Sequence, residues 1–153
     1  MGTSGDPTDV RSIAVTRQDL VAALEMSRTS EQRAVLRLTP PFSGRMRARL
    51  HVEQEGDYTD EPEPIHVDPA QLLASDAQSY PRPSETEDDL RANPDRQYTV
   101  ERHHEYHTAA VAEWREAVPE AVRERVSLPV PDGEHEVSVT LLGDTVSEIQ
   151  NGR

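Results

Sequence analysis

The sequence predicts an α+β fold: an antiparallel sheet of about four or five strands built from two hairpin units, with a long helix in the C-terminal half and a shorter N-terminal helix packed on it. Three observations lead there. Residues 33–38 and 45–52 alternate apolar and polar side chains on either side of Pro40-Pro41-Phe42-Ser43-Gly44, the period-two pattern of paired strands. Residues 126–130 and 135–142 repeat the pattern around Pro131-Asp132-Gly133, where proline presets φ and glycine supplies a positive φ. Between the hairpins, Val100, His103, His104, His107, Val111, Trp114 and Val118 fall in one sector of a helical wheel.

Taken in order, residues 1–12 are rich in Gly, Ser, Thr and Asp and read as a disordered start. Thr16 is a good N-cap, and Asp19 stands where a capping box places its returning carboxylate. Leu20, Val21 and Leu24 form the apolar stripe of a helix running to about Arg28. In the first hairpin, Arg33 and Arg37 share one face of their strand, and Arg45, Arg47, Arg49 and His51 share one face of theirs. In-register pairing would gather all five arginines into one ladder, with Phe42 exposed at the loop tip. Residues 53–63 hold six acids and no base, and are the obvious internal counter-ion.

Ile65, His66 and Val67 suggest a short edge strand, and Asp68-Pro69 an N-cap with proline at the first helical position. Residues 76–97, with Tyr80-Pro81-Arg82-Pro83 and an acidic run from Glu85 to Asp89, read as a mobile acidic loop. The long helix begins after Thr99 and is interrupted at Pro119. Thr145 to Ile149 suggests a third strand in the last sheet unit. The organisation is thus a disordered residues 1–12 followed by a single α+β domain over 13–150.

Composition narrows the environment. The chain has 153 residues, 34% of them apolar, 12 prolines and no cysteine, which excludes disulfides, thiolate metal sites and cysteine nucleophiles. No apolar run approaches the roughly 20 residues that span a bilayer, and Met1 to Val10 lacks the features of a signal peptide. A cytoplasmic location with no membrane contact is expected. All 16 basic residues are arginine, against 29 acids, for a net charge of -13. A dense carboxylate surface keeps a protein hydrated in molar salt, where the Debye length falls to about 3 Å. A GC-rich genome also favours arginine over lysine. With Thr39 through His51 and Tyr98 through Trp114, the chain resembles small uncharacterised acidic proteins of halophilic archaea made of a domain of unknown function. That resemblance is one of style over the whole chain and brings no activity and no functional residue with it.

Two constellations carry chemistry. Arg33, Arg37, Arg45, Arg47 and Arg49 with Phe42 form a candidate partner-binding face, since guanidinium forks match phosphate and carboxylate oxygens. The alternative is that these arginines pair with residues 53–63 and with helix acids. His103 and His107, one helical turn apart, form a candidate metal pair for zinc or another divalent ion, with His66 or His135 as a third ligand. The alternative is a half-buried histidine set at the edge of the core. No Gly-rich phosphate loop or Gly-x-Ser-x-Gly elbow is present. The sequence reading is a non-catalytic binding or adaptor protein without a cofactor, whose basic hairpin face contacts nucleic acid or an acidic protein surface. The second reading is a metal-dependent enzyme using the histidines.

Overall fold

The alternating stretch 45–52 folds as an extended run that changes partners at its midpoint. Its first half, β3 (Arg45–Arg47), pairs in parallel with β1 (Ser12–Thr16). Its second half, β4 (Arg49–Val52), pairs antiparallel with β2 (Ala34–Leu38). Between them Ala48 is fully buried, and its N–H donates to Ala14 O at 2.9 Å. The structure, a computed structural model, describes residues 6–53, 64–131 and 133–143. The chain divides into two units, residues 1–75 with 122–153, and residues 76–121.

The first unit holds two sheets where the sequence suggests one. The four-stranded sheet has the order β3-β1-β7-β6, with β6 (Arg125–Val130) and β7 (Gly133–Leu142) forming the expected antiparallel hairpin. Gly133, at φ 137°, makes the tight return that an L side chain would resist. β7 then lies parallel to β1, from Ser12↔Ser138 to Thr16↔Leu142. The three-stranded sheet is antiparallel, in the order β4-β2-β5, with β5 (Ile65–Val67) at its edge. The expected first hairpin survives only from Ala34↔Val52 to Arg37↔Arg49. Beyond Arg49 the strand leaves β2 for β1.

β1 itself is the strand that the composition of its surroundings conceals. Ahead of it, Pro7–Asp9 form a 3-10 turn in which Asp6 accepts from Thr8 N–H at 2.9 Å, and Val10 is fully buried. Ile13 and Val15 are buried as well, beside Val137 and Leu128 of the β6–β7 hairpin. Each such side chain contributes about 1.5–3 kcal/mol by leaving water. β5 and β6 lie against one another, so the two sheets meet at this seam as well as through strand 45–52. The acidic residues 54–63 and the suggested strand 145–149 fall outside the described residues.

Helix α1 (Arg17–Thr29) begins as its sequence indicates, with Thr16 Oγ1 accepting from Asp19 N–H at 3.0 Å. Asp19 does not return its carboxylate to the cap. It accepts the Leu50 N–H at 3.2 Å, the amide of β4 that points away from β2. Leu20, Ala23 and Leu24 form the helix's buried stripe. Pro69–Leu72 make a 3-10 turn capped by Asp68, which accepts from Ala70 N–H at 3.0 Å.

In the second unit, helix α2 (Pro83–Ala92) occupies the stretch read as a mobile loop, and helix α3 (Val100–Ala117) follows its predicted N-cap, Thr99. Pro83 opens α2, and Glu85 accepts from both the Arg82 N–H (3.3 Å) and its guanidinium (3.1 Å). Those bonds, the guanidinium's first, hold the Glu85 carboxyl below its usual range. Arg91 pairs with Glu87 at 2.9 Å one turn away. The acidic run therefore supplies the favourable first turn of a helix. Among the described residues no helix is long and apolar enough to cross a membrane.

Asp19 links the start of α1 to the strand that joins the sheets. Asp19→Ala is expected to lower unfolding free energy by about 1.5–3 kcal/mol, the range for losing a hydrogen bond to a charged group, measured by urea denaturation. An unchanged midpoint would show that water replaces the carboxylate at Leu50.

Candidate functional site

The five arginines do not form one ladder. Arg45, Arg47 and Arg49 are all exposed, while Met46 and Leu50 are half-buried and Ala48 is buried. The alternation of exposure thus continues across the change of sheet, and three guanidinium groups leave the same side of one run. At about 3.3 Å per residue they span some 13 Å. The neighbours across the ladder explain why they stand apart. Arg45 lies opposite Ser12 and Arg47 opposite Ala14, and Arg49 lies opposite Arg37. None of the three has a carboxylate partner among the described residues.

Arg33 and Arg37 have different surroundings. Arg33 Nε pairs with Glu53 Oε1 at 3.5 Å. Arg37, half-buried in the central strand β2, places Nη1 at 3.1 and 3.2 Å from the two ring nitrogens of His51. On the other side of β2, His66 Nδ1 donates to Glu53 Oε2 at 2.7 Å, and its ring lies 5.3 Å from that of His51. Arg37 Nε and His66 Nε2 are buried without a hydrogen-bond partner. Phe42, expected at an exposed loop tip, is only 4% exposed, because burying its ring outweighs leaving a large apolar surface in water.

The second unit brings His103 and His107 together on a residue that sequence reading passed over. Thr86 Oγ1, on α2, lies 2.8 Å from His103 Nε2 and 2.9 Å from His107 Nδ1. Thr86 is 3% exposed, a polar residue buried between the two helices. His103 Nε2 also lies 3.1 Å from Pro83 O, and a carbonyl only accepts, so this nitrogen carries a proton. Thr86 Oγ1 then accepts from His103, and its single hydrogen lies within reach of His107 Nδ1 and of the carbonyls of Pro83 (3.1 Å) and Arg82 (3.4 Å) at the start of its own helix. His104 is exposed and stands outside this set, and Val100, expected on the apolar stripe, is 76% exposed.

The apolar part of α3 begins at Val111 and Trp114. Trp114 Nε1–H donates to Gln78 O at 3.2 Å, and its ring meets Tyr80 edge-on at 4.8 Å. Tyr98 carries the Arg91 guanidinium 3.8 Å over its ring. His135, the other candidate third ligand, donates from Nε2 to Val10 O at 2.6 Å. Among the described residues no group of three or more histidine and acidic side chains is placed to hold a metal ion.

Fold and site together define a small α+β protein with a basic strand on an acidic body. The chain belongs to the family described as Domain of unknown function (DUF8009), whose model matches residues 1–143. No curated protein and no solved structure matches it.

Thr86 is the bond between α2 and α3. Thr86→Val keeps the shape and removes the hydroxyl, leaving the two imidazole nitrogens without their shared partner. The expected loss is about 1–3 kcal/mol, read as a lower denaturation midpoint together with faster amide exchange in α2. Unchanged exchange in α2 would contradict the role assigned to this hydroxyl.

Proposed function

We propose that this is a non-catalytic binding protein whose contact surface is the exposed row Arg45, Arg47 and Arg49, and that its partner is an anionic macromolecular surface, either nucleic acid or an acidic protein face. One observation carries this reading: in a chain of net charge -13, these three arginines project from one strand with no carboxylate beside them among the described residues. Other exposed arginines do find acids close by, as Arg82–Glu85, Arg91–Glu87 and Arg125–Glu136 show. Exposed pairs of that kind contribute little to stability, so their absence from the row costs the fold little and leaves its forks open to a partner.

We further propose that the acidic, lysine-free composition adapts the chain to a cytoplasm of high salt, as in halophilic archaea. Point-charge attraction is screened there. Bidentate guanidinium contacts rest on short-range geometry and survive better, consistent with a surface that uses arginine alone. The metal-dependent reading is less well supported, since the converging nitrogens of His103 and His107 already share Thr86.

Two measurements test these readings. Fluorescence anisotropy with a labelled oligonucleotide and with labelled polyglutamate should show binding to at least one of them. Arg45→Gln, Arg47→Gln and Arg49→Gln together should weaken it by tenfold or more. If the partner is nucleic acid, the salt slope should fall by about one per arginine removed. Binding unaltered in the triple variant would refute the arginine row. Separately, the urea midpoint should rise as potassium chloride increases toward molar concentration; a flat or falling dependence would remove the high-salt adaptation.

A further inference from the structure

The register of the four-stranded sheet sorts its side chains into two faces. Ile13, Val15, Val126, Leu128 and Val137 are buried on one of them. On the other, one row crosses all four strands: Arg45, Ser12, Ser138 and Arg125 stand opposite one another in turn. The next row holds Arg47, Ala14 and Thr140. Arg45, Arg47, Arg125 and Thr140 are exposed, and Ser12, Ala14 and Ser138 are half-buried. Among the described residues this face is therefore open to solvent. Its acids, Glu134 and Glu136, stand at the start of β7, two strands away from β3, and Glu136 meets Arg125 at 3.4 Å.

Three features restrict what this face can receive. The surplus positive charge lies along one edge, where Arg45 and Arg47 are followed by the exposed Arg49 of β4. These residues recur about every 6.6 Å along the strand, a repeat comparable with that of successive phosphates on a nucleic-acid strand. The floor beside them ends in hydroxyl and methyl groups, which let a backbone approach closely, and serine and threonine hydroxyls bond phosphate and sugar oxygens. The third feature is what the face lacks. None of the residues in register on it is aromatic, and its one large apolar side chain, Leu142, is half-buried at the end of the sheet, opposite Thr16. Single strands are held by stacking on aromatic rings, and a protein partner needs an apolar interface core. A double helix keeps its bases stacked inside, and contacts to its phosphates are sufficient for binding without sequence preference.

On the reading that the arginine row is the contact surface, we propose that its partner is double-stranded nucleic acid. The phosphates of one strand lie along Arg45, Arg47 and Arg49, whose guanidinium forks match their oxygens. The face of Ser12, Ser138 and Thr140 lies against the adjoining sugar–phosphate surface. No base edge is read, so affinity does not depend on sequence.

Fluorescence anisotropy of the full chain tests this with a labelled DNA duplex, its single strand and polyglutamate. The duplex should bind at least tenfold more tightly than either of the others, and a duplex of unrelated sequence should bind equally well. Log affinity should fall with log salt at a slope of about -2.7, the value for three phosphates. Thr140→Arg adds a fourth cation to the face without touching the row. It should raise duplex affinity severalfold and steepen the slope to about -3.6. Gln32→Arg, exposed in the turn before β2, should do neither. If polyglutamate binds through the arginines and the duplex binds no better, the contact surface stands and its nucleic-acid partner is withdrawn. If none of the three ligands binds, both fall together. Tighter binding of the single strand, or an equal gain from Gln32→Arg, would overturn the docking of a double helix on this face.

Discussion

Much of this fold depends on one backbone requirement: every amide of strand 45–52 needs an acceptor although the strand has a different neighbour at each end. Ala48 N–H goes to Ala14 on β1, Leu50 N–H goes to the Asp19 carboxylate, and Glu53 N–H goes to Arg33 O on β2. An unpaired amide in this half-buried run would cost about as much as a lost hydrogen bond. Asp19 is thus more than a helix-start residue. It stands in for a strand at the point where β1 has turned into α1 and can no longer supply carbonyls. Ala48 is small for a related reason: it is wholly enclosed at the point where two sheets share one chain, and extra methylenes there would force the sheets apart.

The same arrangement determines the electrostatics. Because the side-chain alternation passes through the change of partner, Arg45, Arg47 and Arg49 stay on one side while their cross-strand neighbours become serine, alanine and another arginine. Acids are abundant in this chain, and the arginines paired with them among the described residues reach them along a helix turn in α2, across the β6–β7 hairpin, or between the ends of β2 and β4. A strand bordered by small residues has no such neighbour. Net charge therefore says little about this surface: the local ladder, and not the sum over the chain, decides where positive charge is left over.

The sequence made legible those features that depend on neighbouring residues. The caps at Thr16, Asp68 and Thr99 are where their side chains predict, and the turn at Gly133 joins the strands expected of it. What it did not disclose depends on partners distant in the chain. β1 is five residues long and follows a polar start, so nothing local separates it from a tail; β7, more than a hundred residues away, makes it a strand. α2 was hidden by its acids, which read as disorder until Pro83 and Glu85 are recognised as a helix opening. Phe42 lies beside two prolines in a loop, and only the core that encloses it decides that it is buried. For the sites, residue type and spacing drew attention to the arginines and to His103 and His107, but neither Thr86 nor Glu53 has a local pattern that marks it.

The two histidine groups show why hydrogen-bond accounting says more than residue type. His103 and His107 look the more suggestive in sequence, at a spacing that suits a metal. In the fold their converging nitrogens are matched by one hydroxyl, with a carbonyl taking the remaining share of His103. Such a set is complete, and its role is to hold α2 to α3. His66 enters the sequence reading only as one of two candidate third ligands, a polar residue in a three-residue edge strand. In the fold one nitrogen is fixed by a carboxylate while the other, like Nε of Arg37 on the neighbouring strand, is buried without a hydrogen-bond partner. A satisfied cluster stabilises the fold, whereas each unsatisfied buried group costs it about 1–3 kcal/mol. That difference, rather than the count of histidines, makes the Arg37–His66 pair the more informative place on the molecule.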